Sequence, residues 1–206
     1  MIKVTADYGP MYYVLEGIDN VGKTTQMRLL KELYSDTKVF TREPGGNVLS
    51  EHLRDAVFDN EYNVDRFTET MLFLASRSHN YNTIVKPALD SGKDVISDRG
   101  AISGLAYAVV NNTGFTIPEL VNLNLKAIGG RKIDTVFLFN ISKKTLEERR
   151  AKGSSDRIEN RGVEYLLTAQ EALLSYASML ANNVVTIDAD EPIDVVLDII
   201  RNSIES

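Results

Sequence analysis

The chain has 206 residues, 43% of them hydrophobic and 25% charged. That suffices for one sizeable core and leaves two independent domains cramped, so a single domain over 1–206 is expected. A formal charge of -6 argues against a protein that holds a nucleic-acid polymer, and the absence of cysteine excludes a disulfide framework and a thiolate metal site. No apolar run approaches the length of a membrane span and no secretory signal pattern opens the chain, so a soluble, cytoplasmic protein is expected.

Residues 1–10 are mixed in character and close on Tyr8-Gly9-Pro10, a turn-prone cluster. They read as an N-terminal extension, with Met11 as an alternative start. Met11 to Leu15 is almost wholly apolar, as in a strand buried on both faces of a parallel sheet. Lys23 to Tyr34 follows with Met27, Leu29, Leu30 and Leu33 at helical spacing. Further strands are expected at 38–40, 94–97, 135–139 and 184–187. Helices are expected over 48–58, 66–90, 103–110, 117–128, 143–151, 163–180 and 192–204. The alternation predicts an α/β fold, a doubly wound parallel five-stranded sheet with helices on both faces. Ser142 and Asp190 stand where helix N-caps are expected. The polar stretch of about 150–162 reads as a short mobile lid.

Gly17-Ile18-Asp19-Asn20-Val21-Gly22-Lys23-Thr24 fills the pattern G-x-x-x-x-G-K-S/T between the first strand and the first helix. This is the phosphate loop, or P-loop. Gly17, Gly22 and the loop between them turn backbone N–H groups toward an anion, with Asn20, Val21 and Thr25 alongside. The helix directs its positive end at the phosphates, Lys23 reaches the β and γ phosphates, and Thr24 offers a hydroxyl to Mg²⁺. Asp98 closes the expected strand at 94–97 at the carboxyl edge of the sheet, where α/β proteins bind ligands, and suits a second, water-mediated hold on the metal. Taken alone, Asp98 equally suits a cap for the helix containing Ser103 or a partner for Arg99.

A GTPase requires an N-K-x-D segment, which does not occur, and a motor or transport ATPase requires an assembly module for which there is no room. A small-molecule kinase remains. From about Tyr12 to Ile200 the chain resembles thymidylate kinases. The resemblance rests on Leu15-Glu16-Gly17-Ile18-Asp19 with the P-loop, Thr41-Arg42-Glu43-Pro44-Gly45-Gly46, Met71-Leu72-Phe73-Leu74-Ala75-Ser76-Arg77, and Val85-Lys86-Pro87-Ala88-Leu89. It continues through Asp98-Arg99, Ser103-Gly104-Leu105-Ala106-Tyr107 and Ser155-Asp156-Arg157-Ile158-Glu159 to the strand around Ile187-Asp188-Ala189.

The resemblance implies transfer of the γ-phosphoryl group of Mg-ATP to dTMP, giving dTDP and ADP, by a homodimer. Phe73 then stacks on thymine, and Arg77, one helical turn on, reads its edge. Arg54 and Arg99 grip the acceptor phosphate, Asp19 meets the sugar 3′-hydroxyl, and Glu43 lies near the acceptor phosphate and its metal. Tyr107 stands at C2′ and favours deoxyribose, with Ser103 and Gly104 in the same wall. The P-loop carries no arginine, so the resemblance implies a catalytic arginine from the lid region. Arg149, Arg150, Lys152 and Arg157 are the candidates, Arg149 for the transferring group and Arg157 beside adenine. Plainer readings stand next to these: a core Phe73, Arg54 paired with Glu51 or Asp55, and Arg149 and Arg150 as a basic helix end.

Gly100 and Ala108 depart from the tyrosine or histidine and the glutamine common at those places in relatives, which implies looser thymine recognition. A kinase for another pyrimidine nucleoside monophosphate or a deoxynucleoside is the alternative, and a nucleotide-binding module without catalysis is a second. His52 and His79 fall outside the motifs and read as ordinary side chains.

Overall fold

The computed structural model describes residues 9–151 and 162–206. Five strands, β1 (Tyr12–Glu16), β2 (Val39–Arg42), β3 (Val95–Asp98), β4 (Ile133–Asn140) and β5 (Ala181–Asp188), form one sheet in the order β2-β3-β1-β4-β5. Every pairing is parallel, so all carboxyl ends lie along one edge. The helices are α1 (Lys23–Tyr34), α2 (Val48–Phe58), α3 (Arg66–Asn80), α4 (Lys86–Asp90), α5 (Ala101–Val110), α6 (Ile117–Ala127), α7 (Lys143–Arg150), α8 (Val163–Leu180) and α9 (Ile193–Glu205). The doubly wound α/β expectation holds. Lys152, Arg157 and nearly all of the expected lid lie outside the described residues, as does most of the expected N-terminal extension.

The central strand β1 is buried along its whole length, which is why its sequence is a continuous apolar run. Tyr13 stacks on Phe137 of β4, ring centroids 6.1 Å apart, and Val14, Leu15, Val95, Ile96, Val136 and Phe137 are fully covered. Burying side chains of this size stabilises the fold by roughly 1.5–3 kcal/mol each. The glutamate that ends β1 is also fully buried, an exception to the apolar rule that matters below.

The structure corrects three details. The helix expected over 66–90 is interrupted by a π turn at Tyr81–Val85 between α3 and α4; insertions of this kind carry no periodicity signal. Ser142 caps α7 as expected, accepting from Thr145 N, but Asp190 does not cap α9. That helix has Pro192 at its N-cap without a side-chain bond, and the Asp190 carboxylate instead accepts from Ser142 N at 3.3 Å. Strand β5 begins at Ala181, three residues before the apolar run. Its first turn of sequence, Asn182-Asn183, is exposed at the sheet edge and reads as loop in the sequence.

Candidate active site

The turn after β1 is shaped by three left-handed backbone positions, Gly17 (φ 151°), Asn20 (φ 67°) and Gly22 (φ 100°). Only glycine fits at Gly17, because a Cβ there would lie 2.9 Å from Cβ of Phe139. Gly22 caps α1, so the N-terminal amides of α1 open into the loop, the arrangement that binds phosphate. The Lys23 ammonium is buried and donates to the carbonyls of Gly17 (2.9 Å) and Ile18 (2.6 Å). Burial, and then the neighbouring charge of Arg99, pull its pKa down to about 8. The negative charge of a polyphosphate in the loop would oppose both effects by favouring the protonated ammonium.

The edge of β3 provides the facing cation. Arg99, at φ 66°, donates to Gly17 O at 2.6 Å and Ser103 Oγ at 3.2 Å, and it forms an ion pair with Asp19. Burial alone would raise the Asp19 pKa, but the charges of Arg99 and Lys23 outweigh it and hold the carboxyl below its ordinary value. The alternatives for Asp98 as a cap or as the partner of Arg99 are not realised: Gly100 occupies the N-cap of α5 and Arg99 turns to Asp19. Behind Arg99, the buried carboxylate of Glu16 accepts from Ser103 N at 3.0 Å and from the Ser103 hydroxyl. Burial raises the Glu16 pKa against those two bonds. With its proton given to Glu16, the Ser103 hydroxyl presents a lone pair to Arg99.

Opposite the P-loop, Arg77 of α3 is buried and heavily engaged. Its Nε donates to Glu43 at 2.6 Å, Nη1 to Asn124 Oδ1 at 2.6 Å and Nη2 to Gly100 O at 3.0 Å. Burial raises the Glu43 pKa while the Arg77 charge opposes it, and the second Glu43 oxygen has no hydrogen bond. Phe73 lies one turn earlier on α3, its centroid 6.4 Å from that of Phe58. Arg54 stacks over Phe58 at 4.9 Å and donates to Pro44 O at 3.3 Å. Its alternative partner Glu51 is taken by Arg42 and by Gly46 N. Tyr107 lies 6.0 Å from the Arg99 guanidinium. Burial pushes its phenol well above the ordinary value, and its hydroxyl is enclosed without a partner.

These groups line one cleft of about 760 Å³. It runs from the P-loop and α1, with Thr24 and Thr25, past Asp98 and Arg99 to Glu43, Arg54, Phe73, Arg77, Ser103, Gly104 and Tyr107. Of the expected residues, Gly17 lies beneath the loop rather than in the lining, and Arg157 is outside the described residues. Arg149 enters from the end of α7, where Nη1 donates to Asn20 O at 3.2 Å and Nη2 to Ala189 O at 2.7 Å. It therefore bridges the P-loop to the loop after β5. Thr24 and Asp98 both face the cleft; a hydroxyl and a carboxylate are hard oxygen donors that suit Mg²⁺ shared with phosphates, so the residues fit that metal.

Glu16, Asn80 and Asn124 are buried polar supports of the cleft walls that sequence reasoning passes over. Asn80 Nδ2 ties α3 to the Thr41–Gly46 segment through Thr41 Oγ1 (2.8 Å), Arg42 O (3.2 Å) and Gly45 O (2.7 Å). A signal exists: Asn80 lies at i+3 and i+4 from Arg77 and Ser76, and Asn124 lies at i+4 from Leu120. Each is an amide on an otherwise inward-facing helical stripe.

A phosphate-cradling loop at the carboxyl edge of a parallel sheet, with a second cationic wall across the same cleft, defines a P-loop kinase acting on a small anionic acceptor. The thymidylate kinase family model matches residues 15–200. Among curated proteins, the thymidylate kinase of Campylobacter hominis is 38% identical over 89% of this chain and 94% of its own length. That of Campylobacter curvus is 36% identical over 95% and 100%, and that of Helicobacter hepaticus 37% identical over 88% and 91%. The chain belongs to the thymidylate kinase family.

Proposed function

We infer that this protein transfers the γ-phosphoryl group of Mg-ATP to dTMP, yielding dTDP and ADP. The observation that carries the reading is the convergence in one cleft of the P-loop with Lys23 and, across from it, Arg99, Arg54 and the Phe73–Arg77 face of α3. A phosphate oxygen of dTMP attacks the γ-phosphorus in line, and the bond from that phosphorus to the β,γ-bridging oxygen breaks as ADP leaves. The acceptor phosphate has a second pKa near 6 and is largely dianionic at neutral pH, so no strong base is required. Thr24 and Asp98 would hold Mg²⁺, which would supply charge neutralisation for the phosphates.

The residues do the positioning. The P-loop amides from Asp19 to Thr25 and Lys23 hold the donor phosphates, and Arg149 reaches the transferring group. Arg99 and Arg54 hold the acceptor phosphate, with Glu43 beside them, while Asp19 accepts from the 3′-hydroxyl. Phe73 supplies a stacking surface for the base and Tyr107 closes the space at C2′, beside Ser103 and Gly104. Arg77 has two N–H groups left after its three protein bonds, one on each terminal nitrogen. An N–H left over in this way suits the O4 acceptor of thymine and opposes the amino group of cytosine. Family membership supports a homodimer, which light scattering tests. Among the described residues no helix is long and apolar enough to cross a membrane; with a chain free of cysteine, this supports a cytoplasmic location.

Coupled ADP release with dTMP, dUMP, dCMP, dAMP and thymidine as acceptors tests the reading: dTMP should give the highest kcat/KM, and a better acceptor among the others would overturn it. Lys23→Ala should abolish turnover while preserving the fold by circular dichroism; undiminished turnover would refute the P-loop role.

A further inference from the structure

The Arg77 guanidinium can read a base only if it is presented in one orientation. A free arginine on a helix has four side-chain torsions, and ordering it on binding erodes affinity and selectivity. Here the ordering is built in. Glu43 holds Nε from the end of β2, Gly100 O holds Nη2 from the start of α5, and Asn124 holds Nη1 from α6. Gly104 faces the terminal nitrogens from α5: a Cβ there would lie 2.5 Å from Nη1, so glycine lets the guanidinium lie against that helix.

Asn124 differs from the other holders because it is itself held. It is buried, and its Nδ2 donates to Leu120 O at 2.7 Å. That bond fixes the amide so that Oδ1, an acceptor, faces Arg77 rather than the amide's own N–H groups. A flipped amide would set donor against donor between two buried side chains.

We propose that Asn124 is a positioning residue for acceptor specificity: by accepting from Nη1 of Arg77 it fixes the orientation of the guanidinium, and so helps the enzyme to distinguish a 4-oxo from a 4-amino pyrimidine. The proposal rests on the reading of Arg77 as the base reader. Asn124 acts only through Arg77, so its loss changes the choice between acceptors and leaves the ATP end of the cleft alone.

The test is steady-state kinetics with dTMP and dCMP on three full-length variants, each with its thermal midpoint. Asn124→Leu keeps the size and removes the acceptor. It should lower the dTMP-to-dCMP ratio of kcat/KM by about tenfold, the scale of one lost hydrogen bond to a buried charge, mostly through KM for dTMP, with KM for ATP unchanged. Asn124→Asp retains the acceptor oxygen and should retain most of the ratio; it also stands as the test by itself if the leucine variant fails to fold, since a collapse of the ratio in a folded Asn124→Asp enzyme contradicts the proposal. Arg77→Leu separates the two levels. If it loses discrimination while Asn124→Leu keeps it, the role of Asn124 is overturned and the reading of Arg77 stands. If Arg77→Leu itself keeps discrimination, both fall. A folded Asn124→Leu enzyme in which the KM values for ATP and dTMP rise together at constant ratio would mark a purely structural residue and overturn the proposal.

Discussion

The buried ion pair of Glu43 and Arg77, at 2.6 Å with both side chains almost wholly covered, illustrates how the site trades stability for order. Breaking such a pair leaves an uncompensated charge on a buried side chain, which costs about 3–5 kcal/mol. Glu43→Ala should therefore lower unfolding free energy by that amount in urea titration, and Glu43→Ala combined with Arg77→Leu should lose less than the sum of the two single changes. The largely covered pair of Asp19 and Arg99 responds to pH instead. The folded-state pKa of Asp19 is depressed below its ordinary value near 3.8. Its stabilising contribution is thus fully present above that ordinary value and is lost as pH falls through the depressed one. The stability difference between the parent and Asp19→Asn, measured by denaturation across pH 2 to 7, should be constant at neutral pH and shrink only below about pH 4; a difference that persists unchanged to the acid end would contradict the assignment.

At the scale of elements, strands buried on two faces and the strand-loop-helix around the P-loop were legible because each leaves a local pattern: an apolar run, a glycine spacing, a helical period. The motif residues named from the family resemblance are gathered by the fold around one cleft. What escaped was whatever depends on a distant partner. Nothing near Asn80 announces that its amide joins three groups between Thr41 and Gly45, and nothing near Asp190 says that it serves α7 rather than α9. The π turn at Tyr81–Val85 escaped because helical spacing continues on both sides of it. The Thr116-x-x-Glu119 capping box that opens α6 was readable by rule and marks the start of the helix that carries Asn124. Asn80→Ala should loosen the Thr41–Gly46 segment from α3. The expected outcome is faster amide exchange confined to that segment, with about 1–3 kcal/mol lost from global stability and a raised KM for dTMP; unchanged exchange there would exclude the tie.

Across the whole molecule, charge is distributed against the net balance. The chain is acidic overall, at -6, yet Lys23, Arg54, Arg77, Arg99 and Arg149 face one cleft, so the attraction for nucleotides is local and short in range. Raising salt from about 0.1 to 1 M shortens the Debye length from about 10 Å to about 3 Å. KM for both nucleotides should rise several-fold over that interval while kcat changes less, because charges already enclosed are poorly screened; KM values indifferent to salt would speak against an electrostatic cleft. The common direction of the five strands has a practical corollary. The cleft opens at the strand ends near Glu16, Arg42 and Asp98, whereas β1 starts at the far rim, just after Pro10, whose carbonyl is clasped by Arg131. A fluorescent label or surface-immobilisation handle fused ahead of Pro10 would sit behind the catalytic rim, leaving turnover intact on a sensor chip.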